Sequence, residues 1–247
     1  MKGHFTYGGY AVCSVYERAK AVRLLDRVWQ GTLTVKQRFK DNPRNYIVRA
    51  SFEGDELIVK IPRARNTRLQ ERFMTWFRPG EAERRYTSMQ QLESLGFACT
   101  PPILAAERRW LGMVTDNILV YGYVDGRLAG PGDEEALASV LLPFYAKGYL
   151  RRDCKPSNFV IAPETGAVCF IDFRLTRPRI LRRFRVWMEL NQFLRNMPTA
   201  RALIRPQGYG GWGFAVAGWC SHLGYRLNNY RRRLSRWLRG KSDTHTQ

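Results

Sequence analysis

The chain has 247 residues, with 41 Lys and Arg against 21 Asp and Glu, a formal net charge of +20. Hydrophobic residues make up 45% and aromatics 13%, so there is ample apolar surface to offset chain entropy and the chain is not a disordered polycation. The length suits one large domain or two lobes, and the charge calls for a polyanion: nucleic acid, an anionic membrane or a phosphorylated substrate. Cysteines at 13, 99, 154, 169 and 220 are odd in number and far apart, and the histidines (4, 222, 245) stand near the ends. No pair has metal-ligand spacing, which argues against a disulfide framework or zinc site and for free thiols in a reducing compartment. The first twenty residues lack the apolar stretch of a signal peptide, and the longest weakly polar run, Gly210 to Cys220, is about half of a ~20-residue membrane span. The expectation is a cytoplasmic protein.

Residues 11–30 place Val15, Ala19, Val22, Leu25 and Val28 at helical spacing. Strands follow at Thr34–Lys40 and Tyr46–Glu53, separated by the turn-rich Asp41–Asn45, and a buried strand at Glu56–Pro62 (ELIVKIP). Two helices are predicted over Thr67–Phe77 and Glu81–Leu95, the second closed by Gly96. Further strands fall at Ile103–Trp110 and Asn117–Val124, and Asp125-Gly126 then breaks the chain. Beyond it come a helix over Asp133–Lys147, two short strands at Asn158–Ala162 and Ala167–Phe173, and a basic helical remainder. The predicted organisation is an α+β chain of two lobes, a β-rich lobe at 1–124 and a helical lobe at 125–247.

The most informative string is Arg151-Arg152-Asp153-Cys154-Lys155-Pro156-Ser157-Asn158, with Ile171-Asp172-Phe173 beginning thirteen residues after the asparagine. It resembles the protein-kinase catalytic loop H-R-D-x-K-P-x-N followed by an aspartate in the D-F-G position. That resemblance implies that Asp153 accepts the proton of an acceptor hydroxyl, Lys155 meets charge on the transferring phosphate, and Asn158 and Asp172 share Mg²⁺. Lys60 lies inside an apolar strand, where a charge costs desolvation unless it is matched, and resembles the phosphate-holding lysine of the kinase V-A-I-K strand. A helix carboxylate should orient it. Glu81 and Glu83 both qualify; Glu83, which shares a face with Tyr86, Thr87 and Gln90, is preferred and Glu81 remains the alternative. The segment around Tyr123 and Val124 is the expected cradle for adenine. There are also departures. No G-x-G-x-x-G joins the first two strands, Arg151 stands for histidine, Arg174 stands for the glycine of D-F-G, and no A-P-E follows.

Taken together, residues 34 to 190 resemble the small-substrate kinases, and most closely the lipopolysaccharide core heptose kinases. The strings that carry this are Leu57–Lys60, Glu71-Arg72-Phe73, Leu95-Gly96-Phe97, Ala106-Glu107-Arg108, Tyr123–Gly126, Asp153–Asn158 and Ile171-Asp172. The resemblance implies a two-lobed protein-kinase-like fold and transfer of phosphate from ATP, with Mg²⁺, to a heptose of the lipopolysaccharide inner core at the cytoplasmic face of the inner membrane. The acceptor choice stays open to another sugar such as Kdo, an aminoglycoside or a protein.

Between Arg179 and Arg239 stand 13 arginines and one acid, Glu189. Trp219, Leu223, Leu227, Leu234, Trp237 and Leu238 alternate there with Arg226, Arg231, Arg232, Arg233, Arg236 and Arg239, a composition suited to peripheral contact with anionic membrane or to a packing helix with a solvated face. A nucleic-acid partner would need a reading element or an aromatic platform, and none is evident. A non-catalytic, basic kinase-like module that binds membrane or nucleic acid is the reading from a different class.

Overall fold

A computed structural model describes residues 3–63 and 69–242, with side chains to Tyr230 except Asn228. The fold is mixed α+β. It divides into two compact units, the first holding the chain up to Arg127 together with Val160–Arg174, the second holding Leu128–Phe159 and the chain from Leu175.

The first unit is built on a seven-stranded antiparallel sheet in the order β1-β2-β6-β7-β5-β4-β3. Its strands are β1 (Gly3–Tyr7), β2 (Tyr10–Ser14), β3 (Thr34–Asp41), β4 (Tyr46–Phe52), β5 (Asp55–Ile61), β6 (Pro102–Trp110) and β7 (Met113–Gly122). The β1–β2 hairpin replaces the early part of the helix expected over 11–30, which starts only at Arg18 as α1 (Arg18–Gln30). Gly8 and Gly9 both have positive φ (55° and 78°), the conformation a two-residue hairpin turn requires. Trp29 of α1 stacks on Tyr7 with ring centroids 5.6 Å apart and holds the hairpin down.

Strand alternation assigns two different faces to the sheet. Ala21, Leu24 and Leu25 of α1 pack with Val12, Val48, Ala50, Leu57, Val59, Leu104 and Val120 in one core. Residues of opposite parity, among them Lys60, Ala105, Glu107 and Leu119, therefore lie on the other face. That face is covered by α3 (Glu81–Ser94), which buries Ala82, Tyr86, Met89 and Leu92. The shorter α2 (Leu69–Met74) precedes it; the helix expected over 67–77 begins outside the described residues.

Glu107 fixes where α3 begins. Its carboxylate accepts the N–H groups of Gly80 and Glu83, each at 3.0 Å, from the otherwise unpaired first turn of the helix. Burial pushes the Glu107 carboxyl up, and these two N–H groups oppose it. Position 80 must be glycine because a Cβ there would strike the Glu107 carboxylate.

The short strand β8 (Arg127–Leu128) lies where the chain passes from one unit to the other. Later, β9 (Phe159–Ile161) and β10 (Val168–Phe170) pair as a hairpin closed by Ala162 N–H to Ala167 C=O. Residues 160–174, placed by the sequence reading in the lobe 125–247, pack with the first unit. The reason is a strap of backbone bonds: Phe170 N–H donates to Ala98 C=O, and Thr100 N–H to Phe170 C=O.

The second unit is helical, with α4 (Glu134–Ala146), α5 (Arg182–Asn196), the single turn α6 (Arg201–Ile204) and the long α7 (Gly211–Ser242). Phe144, Leu190 and Phe193 are fully buried in its core. Helices α5 and α7 approach closely because Gly213 and Gly218 leave room for Trp187 and Asn191. Gly80→Ala is expected to lower the stability of the protein by about 1–3 kcal/mol through overpacking against Glu107, read as an earlier urea midpoint at unchanged slope.

Candidate active site

Lys60 is 8% exposed, on β5 between Ile47 of β4 and Leu119 of β7. Its ammonium donates to Asp172 Oδ1 at 2.7 Å. From α3, Arg85 donates to the same oxygen at 2.6 Å, and Arg85 in turn pairs with Glu81 at 2.8 Å, one helical turn away. Two carboxylates and two cations thus form a chain, Glu81–Arg85–Asp172–Lys60. Burial lowers the Lys60 pKa, with Arg85 adding to the effect and Asp172 and Glu81 opposing it. Burial also pushes the Asp172 carboxyl up, but the Lys60 and Arg85 charges outweigh it and hold the group well below the usual carboxylate range. Asp172 is therefore ionised, half-exposed and anchored, and its own backbone is left-handed (φ 47°), an uncommon conformation for a non-glycine residue. Buried Phe173 and Phe170 pack edge to face at 6.0 Å on either side of it in sequence and root the turn in the core.

Glu83, the preferred partner of Lys60, is corrected. Its backbone N–H binds Glu107, and its charge acts on Glu107 and Cys13. Glu81 is the α3 carboxylate that Lys60 senses, and Lys60, Glu81, Arg85, Asn117 and Leu119 line one small cavity. Two residues apart on a helix, Glu81 and Glu83 point about 200° apart, so the cap by Glu107 decides between them. Arg85 was not anticipated; its i,i+4 spacing from Glu81 was the available signal. Tyr123 continues the β5 ladder through its N–H to Glu56 C=O, under the Arg49 guanidinium at 3.7 Å, and Val124 follows it, half-buried.

In the second unit, Asp153 sits on a loop between Leu150, which exchanges backbone hydrogen bonds with Thr176, and a 3₁₀ turn at Pro156–Asn158. Its carboxylate accepts from Gln192 of α5 at 3.1 Å and from Lys155 at 3.2 Å. The Asn158 amide donates to the Asp153 C=O at 3.0 Å, so the two motif positions five residues apart close one loop. Arg152 holds a left-handed backbone (φ 74°). The strained turn is held by Glu189 of α5, whose carboxylate accepts the N–H groups of Arg151 (3.0 Å) and Arg152 (3.1 Å) and the Tyr145 hydroxyl (3.1 Å). Burial raises the Glu189 pKa, and these donors oppose it. Arg151 is 1% exposed, its guanidinium over the Phe159 ring at 4.0 Å and bonded to Asn158 C=O. Sequence reasoning missed Glu189 and Gln192, although Glu189 was conspicuous as the one acid among 13 arginines. Between the motif residues, burial pushes the Cys154 thiol up to about 12, which leaves it an unreactive packing group.

Asn158 thus stands in the second unit and Asp172 in the first, and among the described residues no cluster of three His, Cys, Asp or Glu side chains forms a metal site.

No protein-family model matches the chain, and no curated protein matches it. Among solved structures, it is similar to WaaP in complex with acyl carrier protein, at 15% identity over 80% of this chain and 95% of that one, with a TM-score of 0.47.

The lowered Asp172 pKa sets an acid dependence. Its contribution to stability is present above the ordinary carboxylate pKa, about 4, and is lost as pH falls through the depressed folded value. Asp172→Asn is expected to flatten the loss of stability below about pH 4, measured by urea unfolding across a pH series; an acid limb unchanged from wild type would show that the pair contributes nothing.

Proposed function

We propose that the protein is an ATP-dependent kinase with a two-lobed protein-kinase-like fold, and that its acceptor is a heptose hydroxyl of the lipopolysaccharide inner core. The observation that carries the phosphotransfer reading is the desolvated strand lysine Lys60 bound to an ionised Asp172. A buried cation beside an anchored, half-exposed carboxylate is a donor set suited to a nucleotide phosphate and its Mg²⁺. In this reading Lys60, oriented through Arg85 and Glu81, holds the nucleotide phosphates, and the backbone around Tyr123 and Val124 receives the adenine. Asp172 and Asn158 are the residues that would hold Mg²⁺, which supplies charge neutralisation at the phosphates.

Asp153 has the role of base. Gln192 and Lys155 fix the direction of its carboxylate, while Glu189 fixes the loop that carries it. An acceptor hydroxyl hydrogen-bonded to Asp153 would give up its proton there as it attacks, and the Lys155 ammonium would meet the charge of the phosphoryl group. Pre-positioning of these groups, rather than covalent chemistry, supplies most of the rate. The heptose assignment rests on the sequence strings that resemble the heptose kinases. The alternative acceptors remain a Kdo sugar, an aminoglycoside or a protein.

Incubation with γ-labelled ATP and extracted lipopolysaccharide is the direct test. Wild type is expected to label the core oligosaccharide, and Asp153→Asn to transfer at least about a hundredfold more slowly while keeping its circular dichroism. Labelling of an aminoglycoside or a protein instead of the core would replace the acceptor, and no labelling of any of them would overturn the kinase reading. Within the first unit, Glu81→Gln is expected to weaken Mg²⁺-nucleotide binding by about tenfold and Glu83→Gln to leave it unchanged in calorimetric titration; equal effects would remove Glu81 from the site.

A further inference from the structure

Among the described side chains of helix α7, one apolar face packs on the protein and a second is exposed. The inner face meets α5: Phe214 is buried against Trp187, the Phe214 C=O accepts from Asn191, and Ser221 donates to Met188 C=O. The outer face carries Trp212, Val216, Trp219, Leu223, Leu227 and Tyr230. At 3.6 residues per turn these six fall within an arc of about 80°, opposite Phe214 and Ser221, and run for about 27 Å. All six are exposed, Trp212 at 85% and Trp219 at 66%. The sequence repeats the spacing at Leu234 and Trp237, whose side chains lie outside those described.

Charge identifies what covers this stripe. From Gly211 to Ser242 the helix has six Arg, one Lys and no acid. Beside the stripe, Trp219 also lines a cavity with Arg195, Arg201, Arg205 and His222, and no carboxylate belongs to its lining. A second copy of the chain would set seven positive charges against seven with no acid to pair them, the reverse of the mixed signs that flank helical dimer seams. Anionic phospholipid matches both features: acyl chains accept the apolar stripe, Trp and Tyr suit the headgroup boundary, and arginines meet phosphate. No described helix is long and apolar enough to cross a membrane, so α7 would lie in the interface plane.

We propose that the outward face of α7, with the arginine-lined cavity beside it, is a surface that docks on anionic membranes. The sequence reading left lipid contact and core packing as competing roles for this segment; the structure gives core packing to one face of the helix and leaves the opposite apolar face exposed, independently of the phosphotransfer reading.

Co-sedimentation with phosphatidylcholine vesicles, with and without phosphatidylglycerol, tests the surface. Wild-type protein is expected to bind the anionic vesicles, and less as salt rises. Trp219→Asp/Leu223→Asp should lower the partition coefficient by at least about tenfold with unchanged circular dichroism. Phe77→Asp/Leu111→Asp, at exposed apolar residues of the first unit, should leave it unchanged. If the α7 double variant does not fold, Trp219→Phe should reduce tryptophan quenching by bromine-labelled lipid. Failure of wild type to bind anionic vesicles would overturn the proposal, as would binding lost with Phe77 and Leu111 but not with α7, or quenching unchanged in Trp219→Phe. A stripe occupied instead by a second copy or an acidic protein would show as the first of these outcomes, with self-association or a complex in analytical ultracentrifugation.

Discussion

A lysine buried in an apolar strand has to be matched, and much of the first unit is arranged around matching Lys60. Leaving its ammonium without a counter-charge would cost several kcal/mol, or else drive the amine to its neutral form. The counter-charge does not come from the sheet. It arrives from residue 172, more than a hundred positions later, on a hairpin strapped by Phe170 to Ala98 and Thr100. Arg85 reaches the same carboxylate from α3 and is itself matched by Glu81. The register of α3 over the sheet is in turn held by Glu107, which needs glycine at position 80. A single buried charge thus ties together β5, β6, α3 and a hairpin distant in sequence.

The second unit meets a related demand with a buried carboxylate. Glu189 takes up two consecutive backbone N–H groups, at Arg151 and the left-handed Arg152, which the loop could not otherwise satisfy away from water. Arg151, standing where the kinase loop has histidine, spreads its guanidinium over Phe159 and reaches the Asn158 carbonyl, so both ends of the motif are gripped from inside. Asp153 is left at the surface of this frame with its direction set by Gln192 and Lys155. In both units the carboxylate assigned a chemical role is half-exposed, and a buried group anchors it or its turn: Lys60 binds Asp172, and Glu189 binds the turn that carries Asp153. That division leaves the reactive oxygens accessible without leaving them mobile.

How much of this was legible in the sequence followed the range of the interaction. The strands from Thr34 to Ile61 and the helix from Glu81 were readable because period and punctuation are local; Asp153, Asn158 and Asp172 were singled out by spacing, and Lys60 as a charge inside an apolar strand. The β1–β2 hairpin was overlooked although Gly8-Gly9 between alternating residues is a local signal; the helical spacing that begins at Val15 outweighed it. The choice between Glu81 and Glu83 was beyond local reading. The phase of α3 depends on Glu107, which lies on a strand paired through β7 to the strand of Lys60. Residues 160–174 joined the first unit for the same kind of reason, since the Phe170 strap and the Lys60 pair are contacts between segments far apart along the chain. Glu189 stood out by composition, but its task was invisible until the loop it holds had a backbone.

The net charge of +20 belongs to none of these constellations. In the first-unit chain two cations face two carboxylates, and in the second Lys155 faces Asp153, so the sites are close to neutral within themselves. The excess lies where no acid accompanies it, above all along α7, which has seven basic residues and no acidic one. Paired charges fix geometry over a few ångströms, whereas unpaired charges project a field that persists for about 8–10 Å in physiological salt. The same arginine-rich composition therefore serves two physically separate purposes. Arginines such as Arg85 and Arg151 shape the sites through fixed bonds, while α7 adds seven basic residues and no acid to a helix whose exposed apolar stripe is the proposed membrane-docking face.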